Sequence, residues 1–243
     1  MSFSDRLLHF LTKFPSPPPL PDGVTAFSPY QEPTPRALFR QFAQQYYTGD
    51  QPRIALLGIN PGRLGNGRTG IAFTDPVALA AWGIANELPR RREPSSEFIQ
   101  AVVEAMGGPA AFYQHFFLGS LYPLVLLRNE LNYNFYDSPA VTAALWPSIQ
   151  HGLQQQVHEV GLARHAAICL GRRNGLYFNR LNEELQLFDQ IHVLDHPRYL
   201  MQYKRKHLAE NVARYVQVLR SIRNEELADA APHICASPAA PPA

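Results

Sequence analysis

The sequence predicts an α/β domain on a largely parallel sheet. Two observations carry that reading: four short apolar runs, at residues 54–59, 117–121, 166–170 and 191–194, and helical stretches with their own start signals between them. The proportions, 46% hydrophobic and 17% charged over 243 residues, provide enough apolar surface for a core and argue against a chain disordered throughout.

Taken in order, Ser4 and Asp5 cap a short amphipathic helix with Leu7, Leu8, Phe10 and Leu11 on its apolar side. Five prolines in residues 15–21 then stiffen the chain into a polyproline-like arm, expected to lie on the domain. A helix follows at 36–47, carrying Leu38, Phe39, Phe42 and Tyr46. Asp75-Pro76 and Ser138-Pro139 each place a capping side chain before a proline whose fixed φ suits a first helical turn. Ser95 or Ser96 caps a helix at 98–106, stopped by Gly107-Gly108. The last helix shows Leu208, Val212, Val216, Leu219 and Ile222 at helical spacing. From Ala228 the Ala/Pro/Ser-rich tail, residues 228–243, is expected to be disordered.

The formal charge of +2 is too small to indicate a polyanion partner, but its distribution is uneven. Residues 198–223 hold seven Lys/Arg against the single acid Glu210, a cationic face on a mildly acidic body. The block reads either as solvated helix surface or as a meeting place for phosphates. Arg90-Arg91-Arg92 is balanced by Glu87, Glu93 and Glu97 and reads as a solvated loop, with DNA contact as the alternative. Cys169 and Cys235 are too few for an iron–sulfur cluster or a four-thiolate zinc, and their contexts do not suggest a disulfide. No signal-peptide pattern and no run of about 18 apolar residues is present, so an intracellular protein away from membranes is expected. No metal-ligand spacing occurs among the histidines.

Ligands of an open parallel sheet gather at the carboxyl ends of its strands. Those ends are Asn60-Pro61-Gly62, Ser120 to Pro123, Gly171-Arg172-Arg173 and His196-Pro197. The densest signal follows the first run, where five glycines fall in thirteen residues from Gly58 to Gly70. Gly62, Gly67, Arg68 and Thr69 fit a phosphate loop with arginine in the lysine position, which would make a nucleotide hydrolase. That fold needs a helix opening at the Arg-Thr pair, whereas the next helix signal is Asp75-Pro76. A dinucleotide fingerprint fails on the spacing of Gly58 and Gly62. A plain surface turn is the third reading.

The stretch from Gly58 to Phe73 resembles the first motif of the single-strand-selective monofunctional uracil-DNA glycosylases, G-M-N-P-G-P-F-G-M-A-Q-T-G-V-P-F, aligned without a gap. Asn60, Pro61, Gly62, Gly65, Thr69, Gly70 and Phe73 agree. His196-Pro197-Arg198 is similar to the start of the family's H-P-S motif, and Ser120-Leu121-Tyr122-Pro123-Leu124 to its N-L-C-P-L. The resemblance covers about residues 50–223 and suggests a divergent subtype. It implies a three-layer α/β/α fold around a central four-stranded, mainly parallel sheet. The division expected is 1–49 as helices and arm packed on the domain, 50–227 as the glycosylase-like domain, then the tail.

The resemblance implies a DNA glycosylase that flips a uracil out of the stack and hydrolyses its N-glycosidic bond, starting base excision repair, with no cofactor and no metal. His196 would hydrogen-bond the base O2 as it becomes anionic, a donor role worth about 3–4 kcal/mol. Asn60 would hold the attacking water. An amide orients water but cannot take its proton, so the implied mechanism is dissociative. Phe73 would stack on the flipped base for about 1–3 kcal/mol. Gly62 would leave room beside C5, admitting 5-substituted uracils such as 5-hydroxymethyluracil. Standing alone, these residues read as a structural histidine, a turn asparagine and a core phenylalanine.

Two departures stand out. Ser120 replaces the asparagine whose amide reads uracil in the family, leaving that task to a water, to backbone amides, or to Asn132 and Asn134 nearby. After His196-Pro197 the chain reads Arg198-Tyr199-Leu-Met201-Gln-Tyr-Lys204-Arg205-Lys206 instead of a proline-rich segment. Tyr199 or Met201 would then wedge the vacated stack, while Arg198, Lys204, Arg205 and Lys206 hold phosphates. The expected partner is DNA containing uracil or a modified uracil, met by a monomer. A non-catalytic nucleic-acid-binding module of the same fold is the remaining rival.

Overall fold

A computed structural model describes residues 1–230. Helix α1 (Phe3–Lys13) opens with a capping box: the Ser2 hydroxyl accepts from the Asp5 N–H, and the Asp5 carboxylate accepts from the Ser2 N–H. The cap thus falls two residues before Ser4, because Asp5 serves at the third helical position. Then come β1 (Val24–Phe27), α2 (Pro33–Tyr46), β2 (Arg53–Gly58), α3 (Asn66–Thr69), α4 (Pro76–Ala81), α5 (Pro94–Ala105) and α6 (Gly108–Tyr113). The second half runs β3 (Phe116–Ser120), β4 (Val125–Arg128), β5 (Leu131–Tyr133), α7 (Pro139–Gln155), β6 (Leu162–Leu170), α8 (Arg172–Leu185), β7 (Gln190–Leu194), α9 (Pro197–Tyr203) and α10 (Leu208–Ala230).

The four expected runs form one sheet in the order β3-β2-β6-β7, and every pairing is parallel. Successive side chains of a strand point to opposite faces, and every residue of β2 is buried. Helices therefore cover the sheet on both sides, giving the three-layer α/β/α fold. Because the strands are parallel, their carboxyl ends share one edge. The chain leaves β2 for β3 on one side and places β6 on the other, so the switch point of the topology lies at the end of β2.

Asp75 caps α4 as expected, accepting from the Val77 and Ala78 N–H groups. The serine caps differ. Ser138 precedes α7 but donates its hydroxyl to the Asp22 carboxylate at 2.6 Å. The helix expected at 98–106 begins at Pro94, and the Ser96 hydroxyl instead accepts from the Asp75 N–H. A three-stranded antiparallel sheet, β1-β4-β5, had no counterpart in the sequence reading. Its strands are short, and the turn between β4 and β5 uses Asn129 and Glu130 at φ 49° and 61° rather than a glycine. At the N-terminus, Phe3 is buried against Arg53, itself fully buried. The Arg53 guanidinium lies 4.2 Å from the Phe3 ring centroid and donates to the carbonyls of Tyr113, Gln51 and Thr48. The tail was expected to begin at Ala228, but α10 runs on to Ala230; residues 231–243, with Cys235, lie outside the described residues.

Candidate active site

The turn after β2 brings Asn60 to the sheet edge, half-buried, and the antiparallel hairpin orients it. Asn60 Nδ2 donates to the Tyr133 carbonyl at 2.9 Å, and its Oδ1 accepts from the Phe135 N–H at 3.3 Å. With both ends of the amide engaged, the side chain has one orientation. The carbonyl oxygen keeps a second lone pair for a water.

Phe73 is set by the other end of the same motif. Gly70 turns the chain at φ +76°, where a Cβ would lie 2.6 Å from the Pro35 carbonyl, so no larger residue fits. The buried Thr69 hydroxyl accepts from the Ile71 N–H and bonds the Thr74 carbonyl at 2.8 Å, closing the loop on itself. Phe73 between them adopts φ +53°, an outlier for a bulky residue, and its ring lies over Gly58. A Cβ on Gly58 would stand 2.9 Å from Phe73 Cζ. The ring also lies near His196, centroid to centroid 5.9 Å and tilted by 53°.

This geometry disposes of a phosphate loop at residues 62–69. The single turn of α3 ends at Arg68-Thr69 instead of opening there, and the Thr69 hydroxyl faces its own loop.

His196 stands at the end of β7 as the N-cap of α9. Its Nδ1 accepts from the Arg198 N–H at 3.1 Å. An acceptor at Nδ1 fixes the neutral tautomer with its proton on Nε2. Burial, and then the Arg198 guanidinium, push the ring down from 6.5 to about 4. The ring is thus a neutral Nε2–H donor.

Asn60, Gly62, Phe73, Ser120 and His196 line one cleft of about 1310 Å³ at the carboxyl edge. The space beside Gly62 is bounded by Asn132, whose Nδ2 would lie 3.4 Å from a Cβ there and whose Oδ1 accepts from the Arg63 N–H. Asn134 also lines the cleft, but its side chain is engaged with Asp137. Of the basic residues, Arg198 and Lys204 reach the walls, as does Tyr199. Arg205 and Lys206 do not, and Arg205 pairs with Glu97 of α5 at 2.7 Å. Met201 is buried, which removes it as a wedge, while Tyr199 remains 44% exposed. An amphipathic α9 faces its leucine and methionine inward, and Tyr199 falls on the opposite side.

Several wall residues had no assigned role. Arg91 and Arg92 line the cleft, so the loop read as solvated, with DNA contact as its alternative, borders the site. Arg172 and Arg173 line it from the start of α8, with Arg173 packed 4.4 Å from the Tyr136 centroid. Glu93 places a half-buried carboxylate against Gly65. Burial and the nearby Asp75 raise its pKa despite Arg91, Arg198 and Arg68. Their positions at strand and helix ends were visible in the sequence, but convergence on one cleft is a property of the fold. Among the described residues, no three His, Cys, Asp or Glu side chains gather as a metal ion would require, and no helix is long and apolar enough to cross a membrane.

The family model for the uracil DNA glycosylase superfamily matches residues 45–220. Among solved structures, wild-type SMUG2 of Pedobacter heparinus superposes with a TM-score of 0.87 at 32% sequence identity, covering 92% of this chain and 99% of that one. No curated protein matches by sequence. Asn60, Ser120 and His196 stand at strand ends on one edge of the sheet, and the family match spans most of the chain: it belongs to the uracil DNA glycosylase superfamily.

Proposed function

We propose that the protein is a monofunctional DNA glycosylase that draws a uracil, or a 5-substituted uracil, from DNA into the cleft and hydrolyses its N-glycosidic bond. The observation that carries this reading is His196: neutral, its Nδ1 held by backbone, its Nε2–H left as the free donor of a ring that lines the cleft beside Phe73. As the bond breaks, negative charge gathers on the pyrimidine, and His196 donates to it. A neutral donor of this kind needs no reorganisation when that charge develops.

Phe73 offers its face to the extruded ring. Asn60 holds a water by its free lone pair but takes no proton, so water attacks a sugar already cationic and the proton leaves afterwards. Ser120 meets the base edge with a single hydroxyl, and Asn132 beside Gly62 bounds the room for a substituent at C5. Arg198, Lys204, Arg91 and Arg173 meet phosphates around the rim, with Tyr199 on the strand that loses its base. The motif residues include no lysine to form a Schiff base, hence release without strand cleavage.

The test is base release. A uracil-containing oligonucleotide, single- or double-stranded, is incubated with enzyme in excess chelator and then treated with hot alkali. Alkali-dependent cleavage at the uracil is expected. DNA binding without cleavage on either substrate would return the reading to a binding module.

A further inference from the structure

Asp195, the residue before His196, is held from two helices. Its Oδ1 accepts from Arg172 Nε at 2.7 Å and its Oδ2 from Arg214 Nη2 at 2.9 Å. One side chain thereby ties the start of α8 and the middle of α10 to the end of β7. Its backbone carbonyl accepts from the hydroxyl of Tyr215, a fully buried residue set in the core against Phe98. On either flank, the Leu194 carbonyl accepts from the Gly171 N–H at 2.7 Å, and the His196 carbonyl from the Leu200 N–H at 3.1 Å. The backbone that carries the His196 ring thus has little freedom of its own.

Both arginines held by Asp195 also line the cleft. A carboxylate there neutralises two guanidiniums that would otherwise face phosphates. Its mechanical effect on His196 and its electrostatic effect on DNA binding therefore have opposite signs. We propose that Asp195 is a positioning residue for base release: by clamping α8 and α10 to the end of β7 it sets His196 in the cleft, while withholding two cations from the DNA. The inference rests on the glycosylase reading.

Asp195→Asn keeps the side-chain shape and removes the charge. The expected result is a single-turnover release rate at least tenfold lower at saturating DNA, with affinity unchanged or several-fold tighter and a steeper dependence on salt. A merely structural residue would weaken both. Tyr215→Phe is the second variant, losing only the bond to the Asp195 carbonyl. It should slow release several-fold at unchanged affinity, and it decides the matter if Asp195→Asn does not fold. Wild-type rates in both variants, or rate and affinity falling together, would overturn the assignment. The ¹⁵N shifts of the His196 ring give a readout independent of activity: one Nε2–H tautomer in the wild type, a mixture in Asp195→Asn. If the wild type releases no base, the glycosylase reading is at fault, and these shifts alone decide whether Asp195 orders His196.

Discussion

A histidine that must donate a hydrogen bond to an incipient anion has two ways to be wrong: the wrong tautomer, or a ring free to turn. The helix cap at Arg198 removes the first for His196, and the backbone held around Asp195 limits the second. The depressed pKa has a consequence for stability. Between about pH 6.5 and 4 the unfolded chain takes up a proton that the folded protein refuses, so this contribution to stability is whole above that window and is lost as pH falls through it. Thermal melts across the window should therefore show a pH slope that shrinks in His196→Asn. An equal slope in both proteins would contradict the half-buried, neutral ring. Asn60 is read through its partners. Asn60→Ala should lower the single-turnover rate by about 100-fold or more with little change in DNA affinity, since it removes the water's anchor and no contact to phosphate. A near-normal rate would remove that role.

The element that matters most is the loop from β2 to α4, in which one buried threonine and one left-handed glycine hold a strained phenylalanine against Gly58. Gly58→Ala should push the Phe73 ring aside, lowering the release rate while leaving the melting temperature nearly as it was. Unchanged release would mean that the ring's position over Gly58 is not used. This loop was legible in the sequence as a motif, because glycines, threonine and phenylalanine stand at fixed offsets that backbone geometry demands. The strands of the main sheet were legible because they are short apolar runs bounded by turn residues. The hairpin β4-β5 was not, since its turn carries no glycine, and the strand β1 that completes its sheet pairs over a separation of about a hundred residues. The hairpin matters nonetheless, because its last residue, Tyr133, and Phe135 just beyond it supply the two hydrogen bonds that orient Asn60. The clamp at Asp195 was equally hidden, since Arg172 and Arg214 meet it only after three elements have packed.

Across the whole molecule, the all-parallel sheet brings four strand ends to one edge, so residues as far apart as Asn60 and His196 share a cleft. The net charge of +2 conceals a rim on which arginines from the loop before α5, from α8 and from α9 face the same space. Arg91→Gln and Arg173→Gln should each weaken DNA binding regardless of sequence and flatten the salt dependence by about one phosphate contact. A salt slope equal to that of the wild type would take either arginine off the DNA path. The opposite end of β2 is a matter of stability alone. Phe3→Ala would strip the fully buried Arg53 of its aromatic cover and should cost about 3–5 kcal/mol without touching the chemistry. Legible in part from charge runs, the rim took its shape only from the fold. The central claim, that the imidazole at the end of β7 stabilises the departing base, is tested most directly by measuring release rate and DNA affinity together in His196→Ala. A rate about 10²–10³-fold lower at saturating DNA, with affinity within about threefold of the wild type, is the predicted result. A rate within tenfold of the wild type, or a loss of binding that accounts for the loss of rate, would contradict it.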